Sequence, residues 1–339
     1  MEDPRPSELR RDPLDTGESV YTRLAGRLVP AHHGGYAALR EGAALVDLSH
    51  KTILRLSGEK ARQMLDAVLT NEVPKGDRRG VYALLLNPKG RIQTDLRVLK
   101  ADGSVLIDIE PEGVAAAKEL LNRFAPFYRV EVEDLSETEA PWGILGLYGP
   151  HAGDLLDRPV LTEHETTGIT LGDAAVLATG VAVPVPGYDL LGPADALGAA
   201  SEHLTGRGAL PVDIPAYETS RIEAGVPRFG SDMTPENFPA EAGVLERAVS
   251  FEKGCYPGQE TVARMRYRGH PNRTLHRLAV EGAPTPPGAE ILQHGKRVGQ
   301  ITSVAPLPVD GATLALGYLS WNAEATPLHA GEATLRPLT

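Results

Sequence analysis

A single cysteine, Cys255, stands in a chain of 339 residues. One thiol cannot make an internal disulfide, a self-contained CxxC redox pair, a cysteine-rich zinc site or a four-thiolate iron–sulfur cluster within the chain. Aromatic residues are scarce, at 5% of the total. No apolar run approaches the ~20 residues that a membrane-spanning helix needs; Val81–Leu86 is typical of the longest. The first residues, 1–11, are charged and proline-rich and contain no apolar segment of the kind that directs secretion. A reducing, cytoplasmic setting with no membrane contact is the expectation. Positive charge is also in deficit: 34 Lys and Arg against 45 Asp and Glu leave a net charge of −11. Such a balance argues against broad, direct binding to nucleic acid.

Familiar site motifs are missing as well. The chain has no GxGxxG with the right spacing, no Walker loop, no HExxH and no GxSxG. Its 10 histidines are scattered, with only His32 and His33 adjacent, and no metal site is expected.

What is present is turn chemistry and periodicity. With 36 Gly and 28 Pro, a length of two or three domains at roughly 150 residues each suggests many short strands joined by turns. Residues 1–20 read as a loose tail. Gly35–Leu45 reads as a short helix, Thr52–Leu56 as a strand and Gly58–Thr70 as a helix with Ala61, Met64, Leu65, Val68 and Leu69 on one face. Val81–Leu86 is an apolar strand. In Arg91–Leu99 the side chains alternate, Ile92, Thr94, Leu96 and Val98 one way and Gln93, Asp95 and Arg97 the other. A strand at Ser104–Ile109, a helix at Gly113–Phe124 and a strand at Tyr128–Val132 complete a β-α-β-β-β-α-β order, a ferredoxin-like unit with an added strand.

The chain repeats itself. Residues 53–66 align with residues 144–157 at an offset of 91, with identity at seven of fourteen positions (Ile53, Leu54, Leu56, Gly58, Ala61, Leu65 and Asp66 and their counterparts). Both stretches read as strand, glycine turn and amphipathic helix. Two similar lobes would leave a cleft between them as the expected ligand site. The second lobe continues through strands near Ala175–Val185 and Tyr188–Leu191, a helix over Ala194–Leu204, and a helix from Asp213 to Glu223 with Pro215 in its first turn. From Arg273 onward, short strands broken by Pro and Gly predict a small β-barrel. The expected fold is thus α+β, with two ferredoxin-like lobes and a C-terminal barrel. The expected division is a lobe of residues 51–139, a lobe of 21–50 with 140–272, and a barrel of 273–339.

Two stretches carry more polar chemistry than packing needs. In Arg221-Ile222-Glu223-Ala224-Gly225-Val226-Pro227-Arg228, Glu223 falls in the last turn of its helix, against the negative end of the dipole. It is either ion-paired, with Arg221 or Arg228, or aimed at a ligand that offers two adjacent N–H donors. In Lys253-Gly254-Cys255-Tyr256-Pro257-Gly258-Gln259-Glu260 the cysteine sits between glycines, beside Lys253. Between Lys253 and Arg273 five cations (Lys253, Arg264, Arg266, Arg268, Arg273) face one acid, Glu260. Nearby positive charge favours thiolate, whereas a lone cysteine is otherwise a small buried hydrophobe. Arg264, Arg266 and Arg268 alternate and read as the outer face of a strand.

The cysteine octapeptide resembles the K-G-C-Y-x-G-Q-E signature of the YgfZ family, folate-binding relatives of the glycine-cleavage T-protein, an aminomethyltransferase. Val46-Asp47-Leu48-Ser49-His50, Leu69-Thr70-Asn71-Glu72-Val73, Asn87-Pro88-Lys89-Gly90-Arg91 followed by Asp95, and the 221–227 segment resemble further pieces of that superfamily, in order. The resemblance implies tetrahydrofolate, or a one-carbon derivative, in a central channel. It implies Glu223, Arg228, Asp95, Tyr256 and Lys253 as binding residues, and Cys255 and Asp95 as the reactive ones. T-proteins usually carry Asp-Phe where Cys255-Tyr256 stand, Lys or Arg at Gln259, and paired aspartates at Thr94-Asp95. These departures point to an accessory role toward iron–sulfur client proteins or their assembly factors, including tRNA-thiomethylating enzymes. Folate-dependent aminomethyl transfer, and an RNA- or partner-docking module built on residues 253–273, are the alternatives.

Overall fold

The computed structural model describes residues 20–24, 27–31, 35–76, 78–101, 103–156, 161–323 and 327–338; the expected tail, residues 1–20, lies outside them except for Val20. The described residues begin with a hairpin, β1 (Val20–Leu24) and β2 (Arg27–Ala31), then α1 (Gly35–Glu41) and β3 (Ala44–Asp47). The helix expected over Gly35–Leu45 therefore ends early. Gly42 closes it, its N–H donating to the Ala38 carbonyl at 3.0 Å, and the fully buried Ala44, Leu45 and Val46 continue as a strand.

The first lobe runs β4 (Thr52–Ser57), α2 (Ala61–Val68), β5 (Val81–Leu86), β6 (Ile92–Ala101), β7 (Ser104–Ile109), α3 (Val114–Tyr128) and β8 (Glu131–Asp134), in sheet order β5-β6-β7-β4-β8. Helix α3 extends past Phe124 and carries Pro126 inside it; Arg129 ends it in the left-handed conformation, φ 54°. The second lobe runs β9 (Trp142–Tyr148), α4 (Ala152–Leu156), β10 (Thr166–Leu171), β11 (Ala174–Val181), β12 (Gly187–Pro193), α5 (Ala194–Gly206) and β13 (Leu210–Val212). Its sheet order, β10-β11-β12-β9-β3-β13, is that of the first lobe with β3 inserted. Gly58 and Gly149, equivalent at the offset of 91, both take positive φ, 129° and 111°. A Cβ on either would lie within 2.7 Å of a backbone carbonyl oxygen, so both repeats depend on glycine at that turn.

Each sheet has a helix-covered face and a face toward the other lobe. Leu54, Leu56, Leu96 and Val98 pack with α2 and α3 residues such as Met64, Leu65 and Leu121. Leu145, Leu147 and Leu190 pack with Leu197, Ala200 and Leu204 of α5. On the opposing faces Ile53, Leu99 and Leu106 share one core with Val46, Ile144 and Leu191. The result is four layers, helix-sheet-sheet-helix. Burying both faces explains why Ile53 and Ile144, on the outer side of simple amphipathic strands, are apolar.

Beyond β13 come α6 (Ile214–Glu223), α7 (Leu245–Ala248) and α8 (Gln259–Arg268). Asp213 caps α6, its carboxylate accepting from the Ala216 N–H. Strands β14 (Arg273–Glu281), β15 (Glu290–Gln293), β16 (Lys296–Val304), β17 (Thr313–Ser320), β18 (Leu328–Ala330) and β19 (Ala333–Leu338) close a barrel in the order β14-β17-β16-β15-β18-β19. The barrel is seated on α6 through a buried polar hub. Arg221 Nη1 donates to Asp232 Oδ2 at 2.7 Å and Nη2 to Ser303 Oγ at 3.1 Å. Thr302 and Ser303 hydroxyls donate to Asp232 Oδ1, and Tyr318 donates to the Asp232 carbonyl at 2.9 Å.

Candidate functional site

The face of β6 that carries Asp95 and Arg97 does not meet solvent. It forms one wall of a cavity of about 1020 Å³, counted with its open mouth, between the lobes. Asp95 and Arg97 of β6, Asp108 of β7 and Glu110 line it from the first lobe, His164 and Asp189 from the second, and Tyr217, Glu218 and Arg221 from α6. A site of this kind, at a lobe junction with convergent polar groups, is where small ligands are held.

Asp95 is the carboxyl of its lining whose pKa is raised. Oδ2 accepts from the Tyr82 hydroxyl at 2.9 Å, while Oδ1 is buried with no hydrogen-bond partner among the described residues. Burial, then the charge of Glu110, pushes its pKa up to about 6. Below it Arg97 joins the lobes. Its Nε donates to both oxygens of Asp108 at 2.9 and 3.0 Å, and its Nη2 reaches Asp189 Oδ2 at 2.6 Å. Asp189 also accepts from the Tyr148 hydroxyl, and the Tyr148 ring stacks on Tyr217 at 5.4 Å. Lys51 pairs with Glu110 at 2.9 Å. Although burial opposes the charged forms, Arg97 holds the Asp108 pKa low, Lys51 holds that of Glu110 low, and Glu110 raises that of Lys51. These pairs stay ionised, leaving Asp95 as the buried acid on the cavity wall whose proton is loosely settled.

Of the six residues predicted from sequence, the cavity gathers Asp95 and Arg228. Glu223 lies elsewhere, in a second cavity with Arg40 and Pro184–Pro186, and accepts from the Tyr36 hydroxyl. The reason is helical phase. Five residues at 100° each put Glu223 about 140° around α6 from Glu218, so Glu218 is the carboxylate that faces the central cavity. Glu218 is held by Arg221, whose Nε donates to it at 3.0 Å, with Arg228 3.5 Å away.

Lys253, Cys255 and Tyr256 also lie outside the lining of that cavity. Lys253 Nζ donates to the carbonyls of Asp66, Leu69 and Asn71 at 2.7, 2.7 and 3.1 Å, closing the C-terminal end of α2, where carbonyls lack helical partners. Tyr256 is buried among Leu84, Phe229, Met233 and Val262, and burial pushes its pKa up to about 12. Between them Cys255 is exposed. Gly258, at φ 81°, presses its backbone on the 87–90 turn, where a Cβ would come within 2.6 Å of the Asn87 carbonyl oxygen. Two of the sequence motifs thus meet at one spot. The expected cationic strand is helix α8, in which only Val262 is buried. At 100° per residue Arg264 and Arg268 share one side of it and Arg266 lies across the helix, paired with Glu246 at 2.7 Å.

Sequence reasoning missed Lys51, Asp108, Glu110, His164, Asp189 and Glu218. The available signal was charge inside strands whose neighbours are apolar: Asp108 stands among Val105, Leu106, Ile107 and Ile109, a placement buried charges take only when paired.

Two lobes of one strand order, a charged cavity between them and a closed barrel at the C-terminus define a T-protein-like protein. The chain belongs to the GCVT N-terminal domain family, whose model matches residues 21–253; residues 273–339 match the CAF17 C-terminal beta-barrel domain. The glycine cleavage system aminomethyltransferase T of Bartonella henselae has the same fold, with a TM-score of 0.79 at 23% identity over 94% of this chain and 92% of its own. Aminomethyltransferases of Moorella thermoacetica and Streptomyces coelicolor are each 28% identical. The first match covers 93% of this chain and 90% of the relative, the second 97% and 92%. No described helix is long and apolar enough to cross a membrane.

Proposed function

We propose that the protein binds a reduced folate between its lobes and serves, in the cytoplasm, as an accessory protein to iron–sulfur enzymes, as the YgfZ branch of the superfamily does. The observation that carries the ligand assignment is the orphaned, buried Oδ1 of Asp95 on the cavity wall. A carboxyl placed so accepts from a ligand N–H, and the reduced pteridine offers several. Asp95 and Glu218 would hold the ring's donors, and Arg228 and Arg247, which also line the cavity, the anionic tail. A reduced folate carries one-carbon units on its ring nitrogens; Asp95, with a pKa near 6, can hold or release a proton beside them.

Calorimetry of the full chain with 5-formyltetrahydrofolate tests this. Wild type binds at one site, and Asp95→Asn weakens binding by roughly 1.5–3 kcal/mol. A wild type that does not bind overturns the assignment. Support for the accessory role comes from the exposed Cys255 and from Thr94 and Cys255-Tyr256 standing where T-proteins usually carry aspartate and Asp-Phe. The names of the curated relatives favour a second reading, aminomethyl transfer. A reconstituted glycine-cleavage assay separates the two: negligible turnover is expected, and robust turnover would establish the second.

A further inference from the structure

A second orphaned group lines the cavity, and it comes from the opposite lobe. His164, in the loop before β10, is buried, and its Nδ1 has no hydrogen-bond partner among the described residues. Its backbone is left-handed, φ 63°, a region that few non-glycine residues adopt. Two backbone hydrogen bonds keep it there. The His164 N–H donates to the Gly180 carbonyl at 2.9 Å, and its carbonyl accepts from the Gly80 N–H of the first lobe at 2.8 Å. The loop is stitched to both lobes, so the ring has a fixed seat.

The other ring nitrogen faces acid. Nε2 lies 3.8 Å from Glu163 Oε1, and Glu163 is paired with Arg247 at 2.7 Å. Burial, then the charge of Arg97, holds the His164 pKa down to about 4, so the ring is neutral near pH 7. A neutral imidazole with its N–H toward that carboxylate presents Nδ1 as an acceptor. Leaving such an acceptor buried and unpaired is costly.

Building on the reduced-folate assignment, we infer that His164 determines ligand specificity: its Nδ1 accepts a hydrogen bond from an N–H of the bound ring, complementing Asp95 on the other lobe. Two acceptors facing the ligand from two lobes favour a ring rich in N–H donors. The tetrahydropteridine has such donors at positions where the fully oxidised ring has bare nitrogens. His164 is therefore one source of preference for reduced over oxidised folate.

The test is anaerobic calorimetry of the full chain with tetrahydrofolate and with folic acid. Glycine adopts the left-handed backbone freely, so His164→Gly keeps the loop while removing the acceptor. The variant should bind tetrahydrofolate roughly tenfold more weakly, from the loss of one buried hydrogen bond, and lose part of its preference over folic acid. Nitrogen NMR of the wild-type imidazole gives a readout that needs no variant: the His164 Nδ1 resonance should move on adding tetrahydrofolate. Unchanged affinity in the folded variant, or an unmoved Nδ1 in a wild type that binds, overturns the role of His164 alone. A wild type that binds neither compound overturns the folate assignment itself.

Discussion

The two lobes are built on one plan and furnished differently. Ile53 of β4 faces Asp108 of β7, and at the offset of 91 Ile144 of β9 faces Leu191 of β12. One strand further, Arg97 pairs with Asp108 in the first lobe and Leu177 with Leu191 in the second. The same register therefore holds a buried ion pair in one sheet and two leucines in the other. Leu191 and Leu177 pack well in the shared core, so this sheet architecture needs no charge at that position. The charges of the first lobe are a property of the cavity rather than of the fold, consistent with buried ion pairs seldom stabilising more than apolar replacements.

Making the first lobe resemble the second should have the largest effect. Arg97→Leu alone strands Asp108 and Asp189 as buried, unpaired charges and should cost about 3–5 kcal/mol in urea unfolding. Adding Asp108→Leu and Asp189→Asn should recover most of that loss. A single variant as stable as wild type would break the comparison.

Next in size is pH dependence, where each lobe contributes one group of opposite sign. Asp95 has its pKa raised from 3.8 to about 6. The stability it contributes is complete below about pH 4 and lost as pH rises through 6, a swing of about 3 kcal/mol. His164 has its pKa lowered from 6.5 to about 4; its contribution is complete above about pH 6.5 and lost as pH falls toward 4. In the wild type the two oppose each other. Asp95→Asn should therefore lose stability steeply on acidification from pH 6.5 to 4, and His164→Asn should gain it, as read from urea midpoints across that range. Parallel profiles for the two variants would show that the groups are not set apart in this way.

The smallest effect sharpens the contrast between two faces of α6. Glu223→Gln touches only the Tyr36 and Arg40 side of the helix and should cost less than about 1 kcal/mol of stability. It should leave 5-formyltetrahydrofolate binding unchanged by calorimetry. A clear loss of affinity would move Glu223 back to the ligand.

Much of the architecture was legible because strands and helices announce themselves through apolar spacing. The 53–66 repeat, the alternation in β6 and the Asp213-Pro215 helix start all follow that rule. Spacing fails where nothing is buried: α8 hides one side chain, Val262, so arginines at every second position imitated a strand. It also fails for a strand such as β3, inserted into a sheet from a distant point in the chain. Within the site, Asp95 was visible as a charge on an alternating strand, and Arg228 as the cation next to the 221–227 motif. Glu218 was hidden because choosing between two acids on one helix requires knowing which face meets the cavity. His164 was hidden because its role rests on a backbone conformation and on the loss of partners, neither of which composition records.

The hub at Asp232 bears on how such a chain can be rearranged in evolution. By sequence the barrel looks like a cassette, separately matched from residue 273 to 339. By chemistry it is not one, since Thr302, Ser303 and Tyr318 supply hydrogen bonds that Asp232 and Arg221 cannot replace with each other. Shuffling in a foreign barrel would leave the α6 arginine and its carboxylate short of partners just behind the cavity wall. Recombination at the apparent boundary carries a cost in stability unless those three hydroxyl groups are inherited together with Arg221 and Asp232. The unit of inheritance is wider than the unit of sequence similarity.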